Sequence, residues 1–425
     1  MSKYFITLLL FVSTAGKAQT LYFPPLIGNN WDTLSPASLG WCTDRVDSLY
    51  DFLEQQNSKA FVVLKDGKIV LEKYFGSFTQ DSLWYWASAG KTLTSFLVGK
   101  AKEQGYLSLS DTSSEYLGVG WTNCTRQQED SISILHQLTM TTGLDDGVTD
   151  NHCTDPPCLV YKAAAGSRWA YHNAPYTLLE KVLTEATGQN INAYTQSALK
   201  TRTGITGAWV TVGFNNVYYS KPRSMARFGL FMQNNCIWNG DTLLRDSAYI
   251  SDMKNISQTL NYGYGYLWWL NGNGSYMVPG SQLVLPGSYA PAAPADMYAA
   301  IGKNGQIISI APSKGLVVVR MGNADEGEVP FLLCNSIWER LNYVMCNSTA
   351  PKVYTFIGNG NWSNAINWTN GEIPPAVLPA GEQIVIYPLG SGEAVLNVDQ
   401  TVASAASLFV VANKKFRITG NLSVQ

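Results

Sequence analysis

"WYWASAGKTLTSFLVGKAKEQGY", residues 84–106, sets a serine three positions ahead of a lysine where an apolar helical pattern begins. Leu93, Phe96, Leu97 and Ala101 share one helical face, Gly105 supplies a stop, and Trp84-Tyr85-Trp86 precede the start. Ser88 therefore reads either as the cap of a helix or as a nucleophile with Lys91 as its base. Residues i and i+3 share a helix face, so the amine reaches a serine in the first turn. The partial positive charge of the helix N-terminus favours the alkoxide. A lysine of ordinary pKa, about 10.4, is protonated at neutral pH. Burial or a neighbouring cation must bring it down to about 7–8 before it serves as a base. Spacing alone does not decide, because Ser197-Ala-Leu-Lys200 and Ser251-Asp-Met-Lys254 repeat it. Only Ser88 combines it with a helix start and an aromatic cluster.

The surrounding pattern gives the architecture. Residues 46–56, "VDSLYDFLEQQ", have helical spacing, and 60–76, "AFVVLKDGKIVLEKYFG", place two apolar runs about an Asp-Gly turn, a β-hairpin signal. "ISILHQLTMTTGLDD" (132–146) and the helix-like "APYTLLEKVLTEATGQ" (174–189) follow. "GQIISIAP" (305–312) and "KGLVVVRMGN" (314–323) read as two further hairpin strands, and "FLLCNSIWERLNYVM" (331–345) as a closing amphipathic helix. The predicted class is α+β: an antiparallel sheet flanked by terminal helices, with an all-helical region beside it. After Pro351 short β-like runs alternate with Gly, Asn and Pro turns, which predicts a separate small all-β domain over 352–425, following a main domain over 19–350. Its "NW…NW" pair is read first as core tryptophans and second as a glycan- or cell-surface-contacting face.

Two more motifs lie in order behind Ser88. Tyr171-His172-Asn173 is the sole Y-x-N of the chain, just before the 174–189 pattern. Lys303-Asn304-Gly305 immediately precedes "QIISI", whereas the other K-x-G, Lys65-Asp66-Gly67, is a hairpin turn. With "LTMTTGL" (138–144), "AGSRWAYHNAPYTLLEKVLTEATGQ" (165–189) and "GKNGQIISIAPSKGLVVVR" (302–320), the chain resembles the serine hydrolases of the penicillin-recognising fold over roughly residues 40–346. The resemblance is to their class C β-lactamase, D-alanyl-D-alanine carboxypeptidase and esterase branch.

That resemblance implies roles. Ser88 attacks a carbonyl and forms an acyl-enzyme. Lys91 and Tyr171 together move the protons, and either is a candidate base. A phenolate at Tyr171 would need the ammonium groups of Lys91 and Lys303 nearby. Asn173 would hold Lys91 and donate to a substrate amide carbonyl. The backbone N–H groups of Ser88 and of Gln306, which follows Lys303-Asn304-Gly305, would form the oxyanion hole. Lys303 would suit a substrate carboxylate, although Asn304 stands where the family usually has Thr. Arg320, placed after a core strand, reads as a surface ion-pairing residue, and second as a carboxylate binder.

Composition narrows the classes. The chain has 425 residues, 46% apolar and 14% charged, with net charge −2, so no charge asymmetry points to nucleic acid or anionic lipid. Three histidines and no paired C-x-x-C motif speak against a metal site, and no cofactor is implied. Lys3, the apolar run "YFITLLLFVSTAG" (4–16) and "GKA" (16–18) read as a secretory signal peptide over 1–18 rather than a membrane span. Export to a bacterial periplasm, cell surface or exterior permits disulfides. Of seven cysteines, Cys153 and Cys158 bracket "TDPP" and are the expected pair. The functional expectation is an exported serine hydrolase cleaving an ester or amide bond of a small-molecule or peptide substrate. The alternatives are a penicillin-binding D,D-peptidase or weak β-lactamase, and a non-catalytic scaffold of the same fold.

Overall fold

The computed structural model describes residues 21–327, 329–346, 352–379, 382–403, 406–411 and 413–425. The expected signal peptide lies outside them. Helix α1 (Val46–Gln55) leads into strands β1 (Ser58–Lys65) and β2 (Lys68–Tyr74), whose turn residues Asp66 and Gly67 both take positive φ, as a tight hairpin requires. Helix α2 (Lys91–Glu103) follows, then an extended run of short helices, then helix α3 (Pro222–Gln233). The chain returns through strands β3 (Trp269–Leu270), β4 (Tyr298–Gly302), β5 (Gln306–Ala311) and β6 (Leu316–Gly322) to helix α4 (Phe331–Val344). The antiparallel sheet has the order β2-β1-β6-β5-β4-β3, so strands far apart in sequence, β1 and β6, pair at its centre with Val62 opposite Val319.

Both faces of this sheet are covered, which is why its central strands read as unbroken apolar runs rather than alternating ones. On β5, a Cβ at Gly229 of α3 would stand 2.9 Å from Ile308 Cγ2, while the next residue, Ser309, meets Cys334 of α4 at 3.6 Å on the opposite face. The helical region is assembled from short pieces with their own start signals. Thr125 and Gln128 form a reciprocal cap at Arg126–Asp130, and Ser133 and His136 do the same at Ile134–Leu138. The predicted 174–189 helix is two helices, Asn173–Thr177 and Leu179–Thr187.

Two disulfides are present: the expected Cys153–Cys158, and Cys42–Cys346, which joins the segment ahead of α1 to the end of α4. Cys236 and Cys334 are buried thiols and Cys124 is half-buried.

Residues 352–425 form three short coils in which each strand lies parallel to its counterpart in the next. Gln383 pairs with Ser407, Glu393 with Lys415 and Gln400 with Leu422, giving a three-sided parallel β-solenoid with its own apolar cluster. Trp362 and Trp368 are inside that cluster, ring centroids 4.6 Å apart, with the Trp368 indole N–H donating to the Trp362 carbonyl. The two tryptophans of the "NW…NW" pair therefore hold the solenoid core together and offer no face to a sugar.

His172, between Tyr171 and Asn173, is 2% exposed, and neither ring nitrogen has a hydrogen-bond partner within the described protein. Burial lowers its pKa to about 4; Asp146 and Asp145 oppose that shift, while Arg168 and His152 reinforce it.

Two expectations follow. Replacing Cys42 by Ser should lower the denaturant midpoint, by about 2–4 kcal/mol in unfolding free energy, because the tie closes a very long loop; an unchanged midpoint would refute that. The neutral His172 contributes stability that is intact above its unfolded pKa of about 6.5 and is lost as pH falls toward 4, in total about 3 kcal/mol. Glu180, Glu326 and Glu339, raised to about 7, 7 and 8 by burial, act with the opposite sign. The readout is therefore the difference between wild type and His172→Leu, which should shrink or invert between pH 6.5 and 4; a pH-independent difference would contradict it.

Candidate active site

Ser88 does not cap α2. It sits one turn earlier, in the 3₁₀ turn Ala87–Gly90, and its hydroxyl takes a hydrogen bond from Lys91 Nζ at 3.0 Å instead of capping a backbone N–H. Ala87 holds φ 46°, an uncommon value for a residue with a side chain, and this tight turn presents Ser88 half-buried at the start of the helix. The two other S-x-x-K stretches have ordinary roles. Ser197 donates to the Tyr194 carbonyl and Lys200 to that of Gly207, while Ser251 accepts from Asn255 and Lys254 donates to Asn235.

Lys91 is 3% exposed. Besides Ser88, its amine donates to Asn173 Oδ1 at 2.8 Å and lies 4.1 Å from the ring centroid of Tyr176 and 5.1 Å from that of Tyr171. Asn173, distant in sequence from the Ser88–Lys91 pair, thus joins it in one hydrogen-bonded line, with Tyr171 beside it. Tyr171 is 2% exposed and is fixed by stacking on Trp269 at 5.5 Å, with Tyr264 edge-on.

Asn173 is itself held. Its amide donates to Asn151 Oδ1 at 3.1 Å and lies 3.4 Å from His152 Nε2, and His152 in turn meets Asn215 at 3.0 Å. The Cys153–Cys158 bridge closes the loop directly after Asn151 and His152, so the disulfide's nearest consequence is to steady the support of Asn173. Sequence reasoning found the cysteines but not Asn151 or His152, which carry no motif.

The third motif lies where the sequence placed it, just before β5, but its residues divide. The strand that meets the nucleophile is β4: a Cβ at Gly302 would be 2.6 Å from the Trp86 carbonyl oxygen and 2.9 Å from the Ser88 nitrogen, so only glycine fits. Lys303 follows it, exposed, at the first position of the turn Lys303–Gly305. Asn304 Nδ2 donates to the Tyr85 hydroxyl at 2.6 Å, tying the turn to the segment ahead of Ser88. Gln306 is fully buried one strand further away, paired with Gly302, and its amide closes the turn by donating to the carbonyls of Lys303 and Gly322. It is β4, and not β5, that borders the Ser88 backbone.

Arg320 corrects its reading. It lies within β6, fully buried, donating to the carbonyls of Gly305 at 2.7 Å, Asn304 at 3.1 Å and Gln56 at 2.6 Å, and to Ser58 Oγ at 2.9 Å. Burial lowers its pKa to about 9, with Glu326 and Tyr85 opposing. It clamps the Lys303–Gly305 turn rather than facing solvent. The sequence signal was a lone arginine inside "LVVVRMG", a buried-strand pattern in which a charge demands internal partners.

Known proteins agree with this geometry. Residues 51–336 match the β-lactamase family model. An uncharacterized protein of Alkalihalophilus pseudofirmus is 23% identical over 302 residues, covering 62% of this chain and 82% of that protein. Among solved structures, one from Bacteroides dorei, provisionally assigned as a β-lactamase, covers 72% of this chain and 100% of its own, at 16% identity and TM-score 0.55. Another, from Bacillus anthracis and provisionally assigned as a 6-aminohexanoate-dimer hydrolase, covers 74% and 89%, at 17% identity and TM-score 0.53. The likeness to these structures is one of fold, and the match of the family model across two thirds of the chain, with the S-x-x-K serine and lysine bonded at its heart, means that the chain belongs to the β-lactamase family.

Proposed function

We propose that the protein is an exported serine hydrolase that cleaves an ester or amide bond through an acyl-enzyme on Ser88. The observation that carries the reading is the 3.0 Å hydrogen bond from the buried Lys91 Nζ to the half-buried Ser88 Oγ. A neutral Lys91 amine would take the Ser88 proton as the oxygen attacks, and Tyr171, beside the same amine, is the second group able to pass a proton to the leaving group. Asn173 holds Lys91 in the orientation that meets Ser88. The tetrahedral oxyanion would be met by the backbone N–H of Ser88 and that of Lys303. As the first residue of its turn, Lys303 does not use its N–H to close that turn.

One observation supports export. Two disulfides fit an oxidising compartment. Among the described residues no helix is long and apolar enough to cross a membrane. A penicillin-binding peptidase of the same fold is the second reading; a penicillin-binding protein from Bacillus halodurans has a TM-score of 0.50 to this chain. The exposed Lys303 cation at the mouth of the site favours it for substrates that carry a carboxylate.

Hydrolysis of p-nitrophenyl acetate by the purified protein tests the reading. Lys91→Ala should lower kcat by about 10²–10⁴-fold, the usual worth of a general base; turnover that survives the substitution would exclude Lys91 from the chemistry. Lys303→Pro removes one N–H at a position preceded by extended backbone, which accepts proline. It should cost about 10²–10³-fold more in kcat than Lys303→Ala, which keeps that N–H. Equal effects of the two would return the second oxyanion donor to another residue. A penicillin adduct that persists for hours would favour the peptidase reading over an esterase.

A further inference from the structure

A cavity of about 1010 Å³ opens beside the catalytic line, and the C-terminal solenoid forms one of its walls. On the catalytic side it is lined by Asn151, the support of Asn173, and by Tyr276, Tyr289 and Phe331. Phe331 packs edge-on against Trp269 at 4.8 Å, and Trp269 is the ring on which Tyr171 stacks. The cavity wall is thus the outer side of the aromatic block that positions Tyr171. One residue, Asn151, separates it from Asn173, and two rings, Phe331 and Trp269, separate it from Tyr171.

The solenoid side is unusual for an outward surface. Along its strands Ile384, Ile386, Leu408 and Val410 point into the solenoid cluster, so the alternate residues face away from it. On the next face the outward positions are Val395 and the charged Glu393, Lys415 and Arg417, with Arg417 paired to Glu393 at 3.1 Å. On the face toward the cavity they are Val385 and Phe409, followed by Val411. The Tyr387 hydroxyl donates to the Asp325 carbonyl at 3.0 Å and fixes this face opposite the catalytic side.

The charges present disfavour an anion. Of the carboxylates at the cavity, Asp146 is paired with Arg168, and Glu326 accepts from the N–H groups of Leu332 and Leu333, but Asp325 lies exposed. Among the described residues the one cation lining the cavity, Lys414, lies over the Tyr387 ring at 4.4 Å. A chamber at the upper end of the size range for small-molecule sites, with aromatic and aliphatic walls and the neutral polar Gln55, Gln56, Asn57 and Gln383 at its edges, suits an uncharged, largely apolar group.

We propose that this cavity holds the long apolar acyl or aryl part of an ester or amide whose carbonyl is presented to Ser88, with the solenoid as a specificity wall. The proposal rests on the Ser88 hydrolase reading for its chemistry but not for its binding. Binding and turnover are therefore measured separately, in the full-length protein.

The first measurement is the ratio of kcat/KM for p-nitrophenyl decanoate to that for p-nitrophenyl acetate. Phe409→Ser should lower this ratio about tenfold, with Arg417→Ala on the neighbouring solenoid face leaving it as in wild type. Thermal melting of both variants confirms that each is folded. The second is the dissociation constant of decanamide for Ser88→Ala, read by tryptophan fluorescence, with and without Phe409→Ser; the second substitution should weaken binding about tenfold. Unchanged ratio and unchanged binding would overturn the proposal. Weakened decanamide binding in a protein that hydrolyses neither ester would uphold the cavity and remove the hydrolase reading. Ester turnover that is indifferent to Phe409→Ser would do the reverse.

Discussion

Lys91 is an amine with almost no access to water, and much of the catalytic region is arranged to make that tolerable. Removing an ammonium group from water costs several kcal/mol unless partners replace the solvent. Here Ser88 and Asn173 accept from it, and two tyrosine rings present their faces to it at 4.1 and 5.1 Å. Each partner is set by a different element: Ser88 by the strained turn ahead of α2, Asn173 by the loop that Cys153–Cys158 closes, and Tyr171 by stacking on the residue that begins β3. The same partners that make the buried amine tolerable hold it against the Ser88 hydroxyl. Structure and proposed chemistry thus follow from one constraint.

The sheet contributes through a close approach. Gly302 allows β4 to abut the Ser88 backbone, and Arg320, reaching from β6, ties down the turn that follows. Arg320 satisfies carbonyls of Asn304, Gly305 and Gln56 at once, so a single buried cation joins β6, the turn and the end of α1. Such a clamp is expensive to desolvate but fixes geometry, and it explains why a charge survives inside an otherwise apolar strand. Trp86 completes the frame from the other side, its indole donating to Ser220 and its backbone N–H to Tyr218.

What the sequence made legible was local. The Ser88–Lys91 pair follows from i,i+3 geometry, the β1–β2 hairpin from Asp66-Gly67, the paired strands near the end from their apolar runs, and Cys153–Cys158 from its short spacing. What it hid depends on contacts between distant segments. Nothing near Gly302 says that the Ser88 nitrogen lies against it, and nothing near Cys42 names Cys346. The motif read along the chain points to Gln306, while the strand that borders the Ser88 backbone is β4. The solenoid was visible as β-rich but not as a solenoid, since its coils share register rather than residues: Glu393 sits beside Lys415 and Gln400 beside Leu422. Its tryptophans, tempting as a sugar platform, are core because Phe356 and each other surround them.

The central claim is that Lys91 and its surroundings turn one serine into a nucleophile. The intact mass of the full-length protein after exposure to diisopropyl fluorophosphate, with the modified residue located by peptide mapping, tests this most directly. The account predicts a single stoichiometric adduct on Ser88. Folded protein that takes up no reagent, or an adduct on Ser197 or Ser251, would contradict it.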